Sequence, residues 1–154
     1  MDRIEKVREY VDSILLHISD TYERRCAYLH LYGVSQACTL IALKRSENAE
    51  LATIAGMLHD IYAYSTMDTK EHAHKGADMA RDIITSLQCF ADDEIDSICS
   101  AIYNHSSKDE RFSAFDEVLI DADVLQHRLY NPLFDIVGAR KQRYESLQIE
   151  FGLI

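Results

Sequence analysis

Apolar residues recur at intervals of three to four positions along most of this 154-residue chain, and that period is the period of an α-helix. The chain has one proline and five glycines, fewer turn-forming residues than a β-sandwich or barrel usually contains. No long stretch alternates between polar and apolar residues as a half-buried strand does. We therefore expect an all-α fold, a single-domain bundle of about six to seven helices.

Periodicity and capping residues predict where these helices lie. Helices are expected over 2–18, 22–44, 48–59 and 71–87, and from 92, from 113 and from Pro132 onward, with a loop over 61–70. Ser46 or Asn48 is expected to cap the third helix and Asp92 the fifth. Ser113 and Asp116 resemble a capping box at the start of the sixth.

The size and charge of the chain restrict its partners. One domain over 1–154 is expected, with a motif-bearing core at about 22–131. The net charge of −10 disfavours duplex nucleic acid as a partner, because nucleic-acid-binding surfaces are usually basic. It would also repel a phosphorylated substrate, unless positive charge such as a metal ion is fixed locally.

The expected location is the cytoplasm, without a membrane anchor. The N-terminal residues are charged and lack the apolar core of a signal peptide. No uninterrupted apolar run approaches the length of a membrane span. The first and last helices have apolar faces that a homodimer could bury.

Histidines and carboxylates stand where helix faces are otherwise apolar. His30 lies on the inward stripe of the second helix, and His105 extends that of the fifth. His59 and Asp60 end the apolar third helix, and Asp123 lies on the sixth. Burying an isolated carboxylate is costly, and a divalent cation would satisfy carboxylates and imidazoles together. The pattern therefore favours a metal site.

The stretch Ala55–Ile61 (AGMLHDI) resembles the defining motif of the HD superfamily of metal-dependent phosphohydrolases, and the closest type is a small, single-domain bacterial protein. His30, about thirty residues upstream, is similar to the family's first histidine. Asp123, in the sequence Ala-Asp-Val-Leu, resembles the aspartate of the family's A-D-x-L segment. Asp121 stays an alternative, because helix periodicity alone separates the two aspartates only weakly.

A second group of residues resembles HD proteins that bind two metals. The segment Glu71–Ala77 is similar to their H-x-x-x-G-A helix, and this alignment selects His72 over His74. The segment Ile102–Ser106 resembles the one that supplies the next histidine, although Ser106 stands where some relatives have a second consecutive histidine. The implied ligands are His30, His59, Asp60 and Asp123 for one metal, and His72 and His105 for another, with Asp60 bridging.

The resemblance implies that metal-activated water cleaves a phosphate ester or anhydride of a nucleotide or another small phosphorylated metabolite. Asp60 would hold the attacking water, Lys108 would clamp phosphate, and His74 would act as general acid or would support a metal ligand. One or two divalent ions are implied, and Mn, Fe, Mg, Zn, Co and Ni are not distinguished. Two other functions stay open: a di-iron HD-type oxygenase, and a non-catalytic regulatory module stabilised by metal.

Overall fold

A computed structural model describes residues 2–154, and Met1, which the predicted domain includes, lies outside the described residues. Residues 2–154 form eight α-helices and no strand. The helices are α1 (Arg3–Leu15), α2 (Thr21–Arg45), α3 (Ala49–Leu58), α4 (Ile61–Thr66), α5 (His72–Ser86), α6 (Asp92–Asn104), α7 (Ala114–Tyr130) and α8 (Gly138–Glu150). The all-α prediction is confirmed, with one more helix than the expected range.

The additional helix is α4, which occupies most of the segment predicted to be a loop over 61–70. It begins directly after Asp60, whose side chain makes no capping hydrogen bond. Ile61 is the buried residue of this six-residue helix. So short a helix has too few turns for an apolar period to be recognised, so the loop prediction was wrong for 61–66.

Two of the predicted caps are present in the structure. The side chain of Asn48 accepts the N–H of Leu51 at 3.1 Å and begins α3. The Ser113 hydroxyl accepts the N–H of Asp116 at 3.1 Å and begins α7. Ser46, the alternative cap of α3, instead ends α2 with a left-handed φ of 58°.

One predicted capping residue and one predicted helix start were wrong. Ala91 takes the capping position of α6 that the sequence assigned to Asp92, and the Ala91 N–H donates to the Glu94 carboxylate at 2.9 Å. Pro132 lies in the loop after α7, and α8 begins six residues later at Gly138. Gly138 has a φ of +58°, a conformation that glycine adopts without steric cost, and it turns the chain into α8.

The centre of the bundle is α3, which packs against α1, α2, α6 and α7. Every residue from Leu51 to Leu58 is buried, as its apolar sequence predicted. The backbones of α2 and α3 approach closely at Gly56, where a Cβ atom would lie 2.6 Å from Ser35 Cα. Beside this contact the Ser35 hydroxyl donates to the Thr53 carbonyl at 2.9 Å. The contact fixes α3 against the part of α2 that carries His30.

By length and composition alone, the helix α2 is long and apolar enough to be a candidate membrane span. It packs against α3 and α7, and its buried residues contribute to the core. A core helix of a globular domain has this composition as well. Its hydropathy therefore does not indicate a membrane protein.

The apolar face of α1 is buried inside the chain through Val7, Val11 and Leu15. These three side chains therefore pack within the chain. On α8, Leu147 is buried and Ile149 is 68 % exposed. A homodimer through α8 stays a prediction.

Candidate metal centre

Five helices bring the predicted ligands together beside one cavity of about 240 Å³, which all of them line except the fully buried His59. His30 comes from the middle of α2 and Asp123 from the middle of α7, whereas the other four lie at helix ends. His59 and Asp60 follow α3, His72 begins α5, and His105 ends α6. Because the chain changes direction at a helix end, the ends of several helices can lie close together without a clash between their backbones.

The Asp60 carboxylate lies between two pairs of imidazoles. Its Oδ2 atom is 3.3 Å from His30 Nε2 and 3.4 Å from His59 Nε2. Its Oδ1 atom is 3.3 Å from His105 Nε2 and 3.5 Å from His72 Nε2. Each carboxylate oxygen therefore faces its own pair of ring nitrogens, as a carboxylate that bridges two cations would.

All four imidazoles point the same nitrogen at the cavity, because each Nδ1 donates to an oxygen outside it. The acceptors are the Gln126 side chain for His30 (2.9 Å) and the carbonyls of Gly56 for His59 (2.8 Å), Thr69 for His72 (3.1 Å) and Ile102 for His105 (2.6 Å). A neutral imidazole that donates through Nδ1 keeps a lone pair on Nε2. The cluster therefore presents four Nε2 lone pairs to one carboxylate.

This arrangement lacks a positive charge at its centre. The Nε2 atoms of His30 and His59 face each other at 3.1 Å, so two lone pairs point into the same space. Asp60 Oδ1 is buried and has no hydrogen-bond partner. Buried polar atoms are normally satisfied, and imidazole with carboxylate is a common ligand set for divalent metals. The donor set therefore fits a metal ion.

The surroundings of both carboxyl groups of the cluster favour the ionised form. Burial opposes ionisation of Asp60, but positive charge on His59 and a hydrogen bond from His105, when these rings are protonated, hold the pKa of this carboxyl well below its usual range. A cation at the centre would favour the carboxylate in the same way when the rings are neutral. Burial also opposes ionisation of Asp123, yet Lys108 and His59 hold its pKa below the usual range. Two buried negative charges are thus available to neutralise a divalent cation.

Asp123 joins the cluster from the side of His30. Its Oδ1 atom lies 3.6 Å from His30 Nε2 and 3.6 Å from His127 Nε2. Its Oδ2 atom accepts from Lys108 Nζ at 2.5 Å, and the same ammonium donates to the His105 carbonyl at 2.6 Å. Lys108 therefore lies at the cavity, where the sequence placed a phosphate-binding residue.

The structure separates the two candidate aspartates of α7. Asp121 points away from the cavity and pairs with Arg45 at 2.7 Å and with Arg143 at 2.9 Å. Arg143 is buried and also contacts Glu117 at 2.7 Å. Asp121 thus joins α7 to α2 and α8, and Asp123 is the aspartate beside the histidines.

The structure also separates His72 from His74. The side chain of His72 reaches Asp60, whereas His74 is exposed and stacks on Tyr103 with a ring-centroid distance of 3.9 Å. His74 does not line the cavity. Its predicted role as general acid or as support for a metal ligand finds no support in this position.

Three residues of the site were missed or undervalued in the sequence. Gln126 orients His30, and its position three residues after Asp123 places it one helical turn further along the same face. His127, one helical turn after Asp123, lines the cavity as well. Arg140 lines it from α8, and no spacing along the chain relates α8 to the motifs.

Comparison with known proteins gives the family. The model of the HD domain family matches residues 27–128, which is more than half of the chain. The crystal structure of a predicted HD superfamily hydrolase from an uncultured Thermotogales bacterium has the same fold, with a TM-score of 0.60 and 23 % sequence identity over 97 % of this chain and 87 % of that one. No curated protein matches the chain. On the strength of the family match, this chain belongs to the HD domain family.

Proposed function

We propose that this protein is a metal-dependent phosphohydrolase that cleaves a phosphate ester or anhydride of a small metabolite, such as a nucleotide. The observation that carries the proposal is the position of Asp60 between two pairs of imidazole nitrogens, in a cavity that Lys108 also lines. Membership of the HD domain family supports a hydrolase, and the solved relative is itself described as a predicted hydrolase.

The ligand atoms fall into overlapping groups. His30, His59, Asp60 and Asp123 would hold one ion, and Asp60, His72 and His105 would hold a second. A divalent cation in these positions supplies Lewis acidity, which activates water and neutralises charge on phosphoryl oxygens. Imidazole and carboxylate ligands suit several metals, so the donor set leaves the choice among them open.

Two basic side chains favour an anionic substrate. The net charge of −10 repels phosphate on average, but Lys108 and Arg140 both line the cavity. The Lys108 ammonium is already positioned by Asp123 and by the His105 carbonyl, so it can donate to a phosphoryl oxygen without further ordering. Arg140 is exposed, and it places a second positive charge where a substrate enters.

The reaction needs a water nucleophile, a group that stabilises negative charge on the phosphoryl oxygens, and a leaving-group oxygen. The oxygen of water forms a new bond to phosphorus, the bond from phosphorus to the ester or anhydride oxygen breaks, and that oxygen leaves with a proton. Asp60 lies at the centre of the cluster and would orient the attacking water. Lys108 Nζ would hold a phosphoryl oxygen as charge builds on it.

The first test combines metal analysis with an activity panel. Protein purified without added metal is expected to contain divalent ions and to release phosphate from at least one class of phosphate ester or anhydride. A chelator should abolish this release and added metal should restore it. Consumption of O₂ by protein that contains two irons would instead favour the oxygenase. Thermal stabilisation by metal without any turnover would favour the regulatory module.

A matched pair of variants tests the site itself. His72→Ala and His74→Ala remove the same side chain two positions apart on α5. We expect His72→Ala to lower activity about 100-fold or more, since loss of a mere partner of a metal ligand already costs about 10- to 100-fold. His74→Ala should retain the activity and metal content of the wild type. Equal losses in both variants would contradict this assignment.

A further inference from the structure

A second pocket adjoins the metal cavity on the side of α2 and the end of α7. We call it the aromatic pocket; it has a volume of about 280 Å³, and its aromatic side chains are Tyr22, Tyr64, Tyr130 and Phe134, together with the rings of His30 and His127. Tyr22 is 59 % exposed, and Tyr130 and Phe134 are each 47 % exposed. Half-exposed aromatic rings gathered around one concavity offer faces and edges to a ligand.

The aromatic pocket and the metal cavity share three side chains. His30, Tyr64 and His127 line both spaces. The His30 ring lies 5.4 Å from the His127 ring and 6.3 Å from the Tyr64 ring, measured between centroids. One molecule can therefore occupy both spaces, with one end beside Asp60 and the other among the aromatic rings.

The far wall of the aromatic pocket is held in place by local contacts. The Phe134 ring lies 6.2 Å from the Tyr130 ring, at an angle of 38°. The Phe134 N–H donates to the Asn131 carbonyl at 3.1 Å, and Arg128 donates to the Phe134 carbonyl. On the opposite side the Arg25 guanidinium packs over the Tyr22 ring at 5.1 Å. These contacts position the rings before a ligand arrives.

The charges of the two spaces differ. Lys108 and Arg140 line the metal cavity, whereas among the described residues no Asp, Glu, Lys or Arg lines the aromatic pocket. A charged group would lose hydration in the aromatic pocket without gaining a partner, whereas an uncharged flat ring would gain stacking contacts. We propose that the aromatic pocket binds an uncharged aromatic ring of the substrate, while its phosphate lies in the metal cavity. This inference rests on the proposed function, because it assigns the two ends of one substrate.

The aromatic ring of the substrate is either a nucleobase or a simple aryl group. Three phosphate esters distinguish these two cases from a substrate without a ring. Adenosine 5′-monophosphate and phenyl phosphate carry a ring, and ethyl phosphate carries none. We expect higher kcat/KM for at least one ring-bearing substrate than for ethyl phosphate. Phe134→Ala should lower that kcat/KM about tenfold, mainly through KM, because stacking on an aromatic side chain contributes at that level. The same variant should leave ethyl phosphate unaffected.

Tyr10→Ala is the matched control, because it removes a comparably exposed ring from α1, away from both spaces. It should behave as the wild type with all three substrates. Equal kcat/KM for ring-bearing and alkyl substrates, unchanged by Phe134→Ala, would overturn the inference while leaving the phosphohydrolase intact.

Ligand-observed NMR with adenosine and phenol, which lack phosphate, separates failure of this inference from failure of the proposed function. If no phosphate is hydrolysed, but NMR detects binding of adenosine or phenol that is lost in Phe134→Ala, the pocket assignment stands and the proposed hydrolase function fails. If neither hydrolysis nor a ring signal is seen, the inference fails as well.

Discussion

At the scale of single residues, the candidate site depends on residues that do not line the metal cavity. Gln126 is buried and its Oε1 atom accepts from His30 Nδ1 at 2.9 Å, which leaves His30 Nε2 directed at Asp60. Gly33 makes room for this glutamine, because a Cβ at Gly33 would lie 2.9 Å from Gln126 Cγ. Partners of this kind fix the tautomer and orientation of a ligating histidine.

Replacing Gln126 should therefore weaken metal binding. We expect Gln126→Leu to lower the affinity for Mn²⁺ about tenfold or more, because the leucine keeps the volume and removes the acceptor for His30. Gln126→Glu keeps an acceptor and should bind at least as tightly as the wild type. Isothermal titration calorimetry measures both affinities. Gln36→Leu, on an exposed position of α2, is the control, and wild-type affinity in Gln126→Leu would contradict the role assigned to Gln126.

The sequence predicted the candidate metal ligands of this site, but it did not predict all of the residues that surround them. His59 and Asp60 are adjacent, and the family pattern spaces His30 and Asp123 around them, so a pattern along the chain can find them. Arg140 enters from a helix whose docking depends on tertiary contacts, and its residue type is ordinary on a helix surface. Such a residue becomes recognisable only once the fold brings α8 beside α7.

At the scale of helices, the contact between α2 and α3 sets the distance between two predicted metal ligands, His30 on α2 and His59 at the end of α3. Gly56→Ala should destabilise the protein by about 1 kcal/mol or more in total, because overpacking a close contact costs about 1–3 kcal/mol. Helix propensity acts in the opposite direction, favouring alanine by about 1 kcal/mol. The steric cost should win, because the clash is with backbone atoms of Ser35, at 2.6 Å and 2.8 Å, which cannot rotate away.

Urea unfolding at pH 7 measures this difference. Thr85→Ala, at an exposed position of α5, is the control and should change the free energy of unfolding by less than about 0.5 kcal/mol. A Gly56→Ala variant as stable as the wild type would show that the two helices move apart without cost.

A capping side chain identified the residue that begins a helix, whereas two helices without such a cap began where the sequence did not place them. Asn48 and Ser113 use their side chains as caps, and residue type reveals them. The starts of α4 and α8 lack a side-chain capping bond, and a left-handed glycine, Gly138, sets the second of them. Proline suits the first turn of a helix, but Pro132 is equally suited to the loop in which it lies.

At the scale of the whole molecule, a network of ion pairs joins the C-terminal helix to the bundle. Arg143 contacts Glu117 and Asp121, and Arg45 contacts Asp121 and Glu150 at 2.7 Å and 2.8 Å. Burial opposes ionisation of Glu117, but hydrogen bonds from Arg143 hold its pKa below the ordinary value. The hydrogen bond from Arg45 lowers the pKa of Glu150 in the same way, against the effect of burial.

This network should make the metal-free protein sensitive to acid. A carboxyl whose pKa is lowered on folding stabilises the protein above its unfolded pKa, about 4.3 for glutamate, and loses that contribution as the pH falls through its folded pKa. Glu117→Gln should therefore be about 2 kcal/mol less stable than the wild type at pH 7, since hydrogen bonds to charged groups contribute at this level. The difference should shrink as the pH falls from about 4 towards 3.

Urea unfolding at several pH values measures this effect. Glu145→Gln removes an exposed carboxyl that lies 3.9 Å from Lys141, and its stability should run parallel to that of the wild type at every pH. Parallel curves for Glu117→Gln would show that the ion pairs of Arg143 contribute nothing to the acid response.

The four imidazoles differ in how far solvent reaches them. His59 and His105 are 0 % and 2 % exposed, His30 is 14 % exposed, and His72, at the free end of α5, is 29 % exposed. The two halves of the cluster would therefore exchange their cations at different rates. If the proposed two ions bind, a chelator should therefore remove the ion beside His72 before the ion beside His30 and His59.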